Sequence, residues 1–143
     1  MKLPRNNKKL DQLFQNSTPA KVKDFSSGQF YIDMLTITPT LRWMKHRKVF
    51  KQTPGGIFGN NILLKKNNWG NFFLEEKKCI KFPELKVVVI NYDSKENSFL
   101  SNIIRDEVRY IKAGEIYLGR FNLVLFGKPR FWGYFSMTKR KDF

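Results

Sequence analysis

The chain carries one cysteine, one histidine, few acidic residues and no long apolar run, and each shortage removes a class of function. Cys79 has no partner for an internal disulfide, so a reducing compartment, the cytoplasm, is expected. With His46 as the sole imidazole, a thiolate or multi-histidine zinc site is excluded, and neither a metal nor another cofactor is expected. Asp33, Lys65, Glu75 and Arg120 cut every apolar stretch short of the roughly 18 residues that a membrane-spanning helix needs. The opening MKLPRNNKKLDQLF has no apolar run of the kind a secretory leader carries. Neither a nucleotide-binding glycine loop nor a catalytic triad is visible.

The scarcity of acid leaves 27 Lys and Arg against 12 Asp and Glu, a formal charge of +15 on 143 residues. Hydrophobic residues at 41% and aromatics at 15% still supply one real core, so the charge does not mark disorder. The cations are spread along the whole chain, with short basic ends MKLPRNNKK and KRKDF. One domain is expected over 1–143: a helix and extended lead-in over 1–27, a β body over 28–138 and a basic tail over 139–143.

Leu10, Leu13 and Phe14 fall at i, i+3, i+4, which predicts a short amphipathic N-terminal helix ended by Asn16-Ser17-Thr18-Pro19. From Gly28 the chain becomes a series of short segments rich in Phe, Ile, Val and Tyr: GQFYIDML, KHRKVFK, GIFGNNILLKK, FFLEEKKCIKF, KVVVINYD, EIYLGRFNLVLF and RFWGYFSMTK. Each is bounded by Gly, Pro, Asn or Asp, the rhythm of antiparallel β. Over 115–126 one face is Tyr117, Gly119, Phe121, Leu123 and Leu125, apolar throughout and turned to a core or lumen. Over 72–82 the split is Phe72, Leu74, Ile80 and Phe82 against Phe73, Glu75, Lys77, Cys79 and Lys81. Turns fall at Pro54-Gly55-Gly56, Asn67–Gly70, Ala113-Gly114 and Gly127-Lys128-Pro129. About seven such strands suggest a barrel or sandwich. Phe99, Leu100, Ile103 and Ile104 instead take helical offsets, predicting one helix near 98–105 capped by Asn97 or Ser98, while Asp106–Ile111 reads equally as more helix or as a strand.

The order KVFKQTPGGIFGNNILL, VVVINYDSKENSFLSNIIRDEVRYIKAGEIYLGRF and KPRFWGYFSM resembles a family of small bacterial proteins of unknown function. It is more distantly similar to GXWXGK-type domains. The likeness spans about residues 41–138 and is most specific at Tyr92-Asp93, Arg105–Arg109 and Tyr117-Leu118-Gly119. It implies an all-β fold with minor α, a lipocalin-like antiparallel β-barrel of the calycin kind, whose members mostly hold small hydrophobic molecules. The Trp-x-Gly-Lys-x-Phe pattern keeps Lys48-Val49-Phe50, but Arg47 stands in the glycine place and the tryptophan is displaced to Trp43.

Three constellations bear on function. The cations Lys45, Arg105, Arg109, Arg120 and Arg130 include candidates for a clamp on an amphipathic ligand's head, since a guanidinium matches a carboxylate donor for donor. The plainer reading pairs Arg105 and Arg109 with Asp106 and Glu107 on a solvated face. Tyr92, Asp93, Asp106, Glu107, Tyr117 and Tyr134 offer a carboxylate and a tyrosine for an isomerase- or decarboxylase-like barrel enzyme, against a plain reading of Asp93 as a turn residue. In 128–135, Arg130, Trp132 and Tyr134 share one strand face, as a platform for single-stranded nucleic acid would, against an ordinary strand with Phe131, Phe135 and Met137 inside and Trp132 partly exposed. Cys79 and His46 read as structural, with His46 neutral.

The function expected from these residues is non-enzymatic binding or carriage of a small apolar or amphipathic, lipid-like molecule. Lys45, Tyr92, Arg105, Arg109, Tyr117, Phe121, Arg130 and Tyr134 are the candidate ligand contacts. Weak electrostatic binding to nucleic acid or an anionic membrane surface is the second expectation, and a barrel enzyme the third.

Overall fold

A computed structural model describes residues 2–25, 27–37, 46–63, 67–112 and 115–139. Helix α1 (Asn7–Gln15) is followed by the two-residue strand β1 (Thr18–Pro19) and a 3₁₀ turn (Val22–Phe25). Then come β2 (Ser27–Met34), β3 (His46–Thr53), β4 (Gly56–Leu63), β5 (Asn67–Lys78), β6 (Lys86–Asn91), the one-turn helix α2 (Phe99–Asn102), β7 (Ile104–Lys112), β8 (Ile116–Leu125) and β9 (Lys128–Lys139). Every pairing is antiparallel. Strands β2 to β9 run neighbour to neighbour, and β9 returns to β2, so eight strands close into a barrel without a free edge. No helix among the described residues is long and apolar enough to cross a membrane.

Alternation decides what lies inside. Phe30, Phe50, Phe72, Val88, Ile90, Val108, Tyr117, Phe135 and Met137 form the interior cluster, and the 3₁₀ turn inserts Phe25 among them at the end where β2 begins. Phe25 stands 5.8 Å from Phe30, 5.2 Å from Phe50 and 4.9 Å from Tyr117, ring centroid to centroid, and closes that end. Large rings fit because glycines face them across the ladder. Gly59 pairs with Phe72 and Gly119 with Phe135, and a Cβ on either glycine would lie 2.2 to 2.6 Å from the partner's ring.

The amphipathic N-terminal helix packs on the outside of the barrel. Asn6 caps it by accepting from the Lys9 N–H at 3.1 Å. Leu10 and Phe14 bury against Leu118, Tyr134, Cys79, Val87 and Val89, a second and smaller core.

The helix expected near 98–105 is present as the single turn α2, and Asp106–Ile111, open in the sequence between helix and strand, belongs to β7, because Ile104, Asp106, Val108 and Tyr110 turn to the lumen. Two expectations are corrected. The strand read through Phe82 stops at Lys78, leaving Ile80 exposed and Phe82 on the outer core. Phe131 packs outside rather than inside, since a bulge between Phe121 and Asn122 pairs Phe121 with Gly133 but Asn122 with Phe131, reversing the face upstream of it. Trp43 and the Ala113-Gly114 turn lie outside the described residues.

Candidate functional site

At the opposite end, where β2 and β6 finish and β3 and β7 begin, the inward positions become polar. Lys48 and Asn61 face each other across β3 and β4. His46 lies two residues before Lys48 on the same face, Asp106 enters from β7, and Tyr92 from the end of β6. All five are buried. Gly70, opposite Asn61 on β5, makes room for them, because a Cβ there would come within 3.3 Å of the Tyr92 ring and Asn61 Nδ2.

The hydrogen bonds assign each group's role. Lys48 Nζ donates to Asn61 Oδ1 at 2.7 Å and to the Tyr92 hydroxyl, and lies 3.3 Å from Asp106 Oδ2. Three acceptors around Nζ match the three protons of an ammonium. Asn61 Nδ2 donates to the Tyr92 oxygen at 2.9 Å, and Tyr92 donates its own proton to Asp106 Oδ2 at 3.3 Å. Asn61 Oδ1 only accepts, so the 3.1 Å contact from His46 Nε2 fixes the Nε2–H tautomer. The rings of Tyr92, Phe72 and Phe135 surround the ammonium at 5.1, 5.6 and 5.7 Å from their centroids.

Electrostatics sharpen the picture. Burial, with the Lys48 charge beside it, pushes His46 down to about 3, so the imidazole is neutral. Burial raises the Asp106 carboxyl and lowers the Lys48 ammonium, and their mutual attraction opposes both shifts. Burial and the Asp106 charge hold the Tyr92 phenol well above its ordinary value. Asp106 Oδ1 is left without a hydrogen-bond partner among the described residues, although the side chain is fully enclosed. A cavity of about 20 Å³ lies against it, lined by Ile32, Met34, His46, Lys48, Phe121 and Phe135. An open groove of about 690 Å³ runs over the same end, lined by Gly70, Asn71, Asn97, Leu100, Ser101 and Ile104 among others.

Of the sequence candidates, Tyr92 and Phe121 border this cavity, and Tyr117 lies inside at the closed end. The arginines do not converge. Arg105 donates to the Asn102 and Ile104 carbonyls and stands 3.8 Å from Asp93. Arg109 ties the outer wall to Ser17 and to the Lys86 carbonyl. Arg120 lies beneath α1, bonded to Asp11 at 2.8 Å and Tyr134 at 2.5 Å and stacked 4.0 Å over Phe131. Arg130 is exposed, and Lys45 lies outside the described residues. The pairing of Arg105 and Arg109 with Asp106 and Glu107 does not form, because Asp106 turns inward to Lys48 and Glu107 accepts from the Ile80 N–H and Asn122. Tyr134 is buried under α1, which removes it from the face it was expected to share with exposed Arg130 and Trp132.

Sequence reasoning missed Lys48 and Asn61 as site residues and set His46 aside. The signal for Asp106 was present in β7, where parity places it with Ile104, Val108 and Tyr110. No protein-family model matches the chain, and neither a curated protein nor a solved structure does.

Proposed function

We propose that the barrel binds, without transforming it, a small amphipathic, lipid-like molecule whose polar head carries a hydrogen-bond donor, such as a hydroxyl or amide. The observation that carries this reading is Asp106 Oδ1, buried, unpartnered among the described residues and bordered by a small cavity. Such an oxygen costs about 1–3 kcal/mol if it stays unsatisfied, and a donor from a ligand removes that cost. A carboxylate head does not suit the place, because Asp106 repels it and Lys48 already has three acceptors. The cavity of about 20 Å³ takes the head atom alone, so the apolar body extends outward past Met34 and Phe121, which are only partly buried. The likeness to GXWXGK-type domains belongs to this proposal, since the lysine of that pattern is Lys48, and so does action in the cytoplasm.

Native mass spectrometry of the protein purified from its host tests it. A bound small molecule on the wild-type chain, absent from Asp106→Leu, is the expected result; a bare mass for the wild type, unchanged on adding long-chain alcohols or amides, contradicts it.

A second reading is favoured by one distance, the 3.3 Å between the Tyr92 hydroxyl and Asp106 Oδ2. A carboxylate raised by burial beside a tyrosine donor is an acid–base pair for moving a proton on an apolar carbonyl compound. Exchange of solvent deuterium into an apolar ketone, lost in Asp106→Asn, is the expected sign, and no exchange above buffer counts against it.

A further inference from the structure

The exposed large apolar side chains are unevenly placed. At the closed end Phe58 and Ile80 are 43% and 46% exposed, whereas at the open end Phe99, Leu100 and Phe126 reach 70%, 73% and 100%, with Trp132 at 55% on the adjoining wall. The two protrusions are neighbours, for the Val124 N–H donates to the Ile103 carbonyl at 2.8 Å, joining the end of α2 to the root of the β8–β9 hairpin. Lys128 and Arg130 are exposed on that hairpin.

Phe126 is also at odds with its own backbone. It and Gly127 are the two residues of the hairpin loop, with φ of 51° and 75°, a left-handed pair that favours Asn, Asp or Gly and not an aromatic residue. Neither burial nor turn preference accounts for a fully exposed ring there, so the ring is suited to a surface outside the molecule.

We infer that the open end of the barrel docks on an anionic lipid bilayer, with Phe126, Phe99 and Leu100 inserted at headgroup depth and Lys128, Arg130 and Trp132 at the interface. The charge is complementary, +15 overall with cations on the inserting hairpin. The apolar groups project from the tips of two separate elements, which suits a deformable lipid interface better than the flat patch of a rigid partner. Single-stranded nucleic acid fits less well, because Tyr134 is buried and Leu100 has no ring to stack on a base. The inference stands on the surface alone and goes beyond the proposed ligand; it would place the cavity mouth on a lipid store.

Co-sedimentation with vesicles of pure phosphatidylcholine and vesicles enriched in phosphatidylglycerol tests it, with thermal unfolding measured beside it. The wild type is expected to sediment with the anionic vesicles and not the neutral ones. Phe126→Asn is expected to unfold at higher temperature, as the turn preference is met, and yet to bind about tenfold more weakly, as the inserting ring is lost. Leu100→Ser weakens binding in the same direction, while Phe58→Ser at the other end leaves it unchanged. The inference is overturned if anionic vesicles are not bound, if Phe126→Asn and Leu100→Ser bind like the wild type, or if these variants lose affinity for a single-stranded oligonucleotide and not for vesicles.

Discussion

At the closed end of the barrel Phe25, Phe30, Phe50 and Tyr117 meet ring to ring at 4.9 to 5.8 Å, whereas next along β3 on the same inward face Lys48 and His46 meet Asn61, Tyr92 and Asp106. The aromatic end needs nothing beyond burial, since each ring removes a large apolar area from water and each favourable ring pair adds about 0.5–1.5 kcal/mol. The polar end has no such simple gain. Two charges taken out of water recover their desolvation only through near-complete bonding, and apolar replacements of similar volume are often as stable or more so. Stability resides in the closed end, and the open end keeps a buried polar cluster that adds less to it.

The sharpest way to break this contrast is to remove one half of the buried pair. Lys48→Met leaves Asp106 enclosed without its cation and is expected to cost about 3–5 kcal/mol in urea unfolding, whereas Lys48→Met with Asp106→Leu is expected to restore wild-type stability or exceed it by about 1–4 kcal/mol. At the other end Phe25→Ala opens a hole among three rings and should cost about 3 kcal/mol, with no second substitution across the barrel that relieves it. Tyr92→Phe removes a hydroxyl that accepts from Lys48 and Asn61 and donates to Asp106, and a loss of about 1–3 kcal/mol is expected.

Near neutral pH the smallest effect is that of His46, and it shows as a slope on the acid side. His46 is neutral in the fold down to about pH 3, while in the unfolded chain it protonates near 6.5. Between those values the unfolded state binds the extra proton, so the stability contributed by neutral His46 is present above pH 6.5 and lost as pH falls toward 3, at up to roughly 1.4 kcal/mol per pH unit. His46→Gln should flatten unfolding free energy against pH across that window; identical slopes in the two proteins would remove His46 from the cluster.

How much of this was legible in the sequence follows from the same two ends. Strand β8 keeps one face apolar through Tyr117, Gly119, Phe121 and Leu123, and an antiparallel β fold, barrel or sandwich, could be read from it and its neighbours. Strand β3 could not be read this way, because Val49 and Phe50 are both apolar and parity leaves open whether Lys48 or Lys51 turns inward. In β7 the parity of Asp106 was plain, but the helical spacing of Phe99, Leu100, Ile103 and Ile104 ran into it and masked the strand. The arginines were overread for a reason that pattern alone does not reveal. Arg109 and Arg120 alternate out of the barrel into the seams under α1 and β1, where Arg109 donates to Ser17 and Arg120 to Asp11 and Tyr134. The bulge between Phe121 and Asn122 left no mark in the local composition, yet it decides that Phe131 packs outside.

The claim that the polar end is kept for a ligand is tested most directly by the native mass of the Lys48→Met/Asp106→Leu protein, purified from the host beside the wild type. A folded double variant at its bare mass, next to a wild type carrying a small molecule, is the result the account predicts. A double variant that folds and carries the same molecule as the wild type would contradict it.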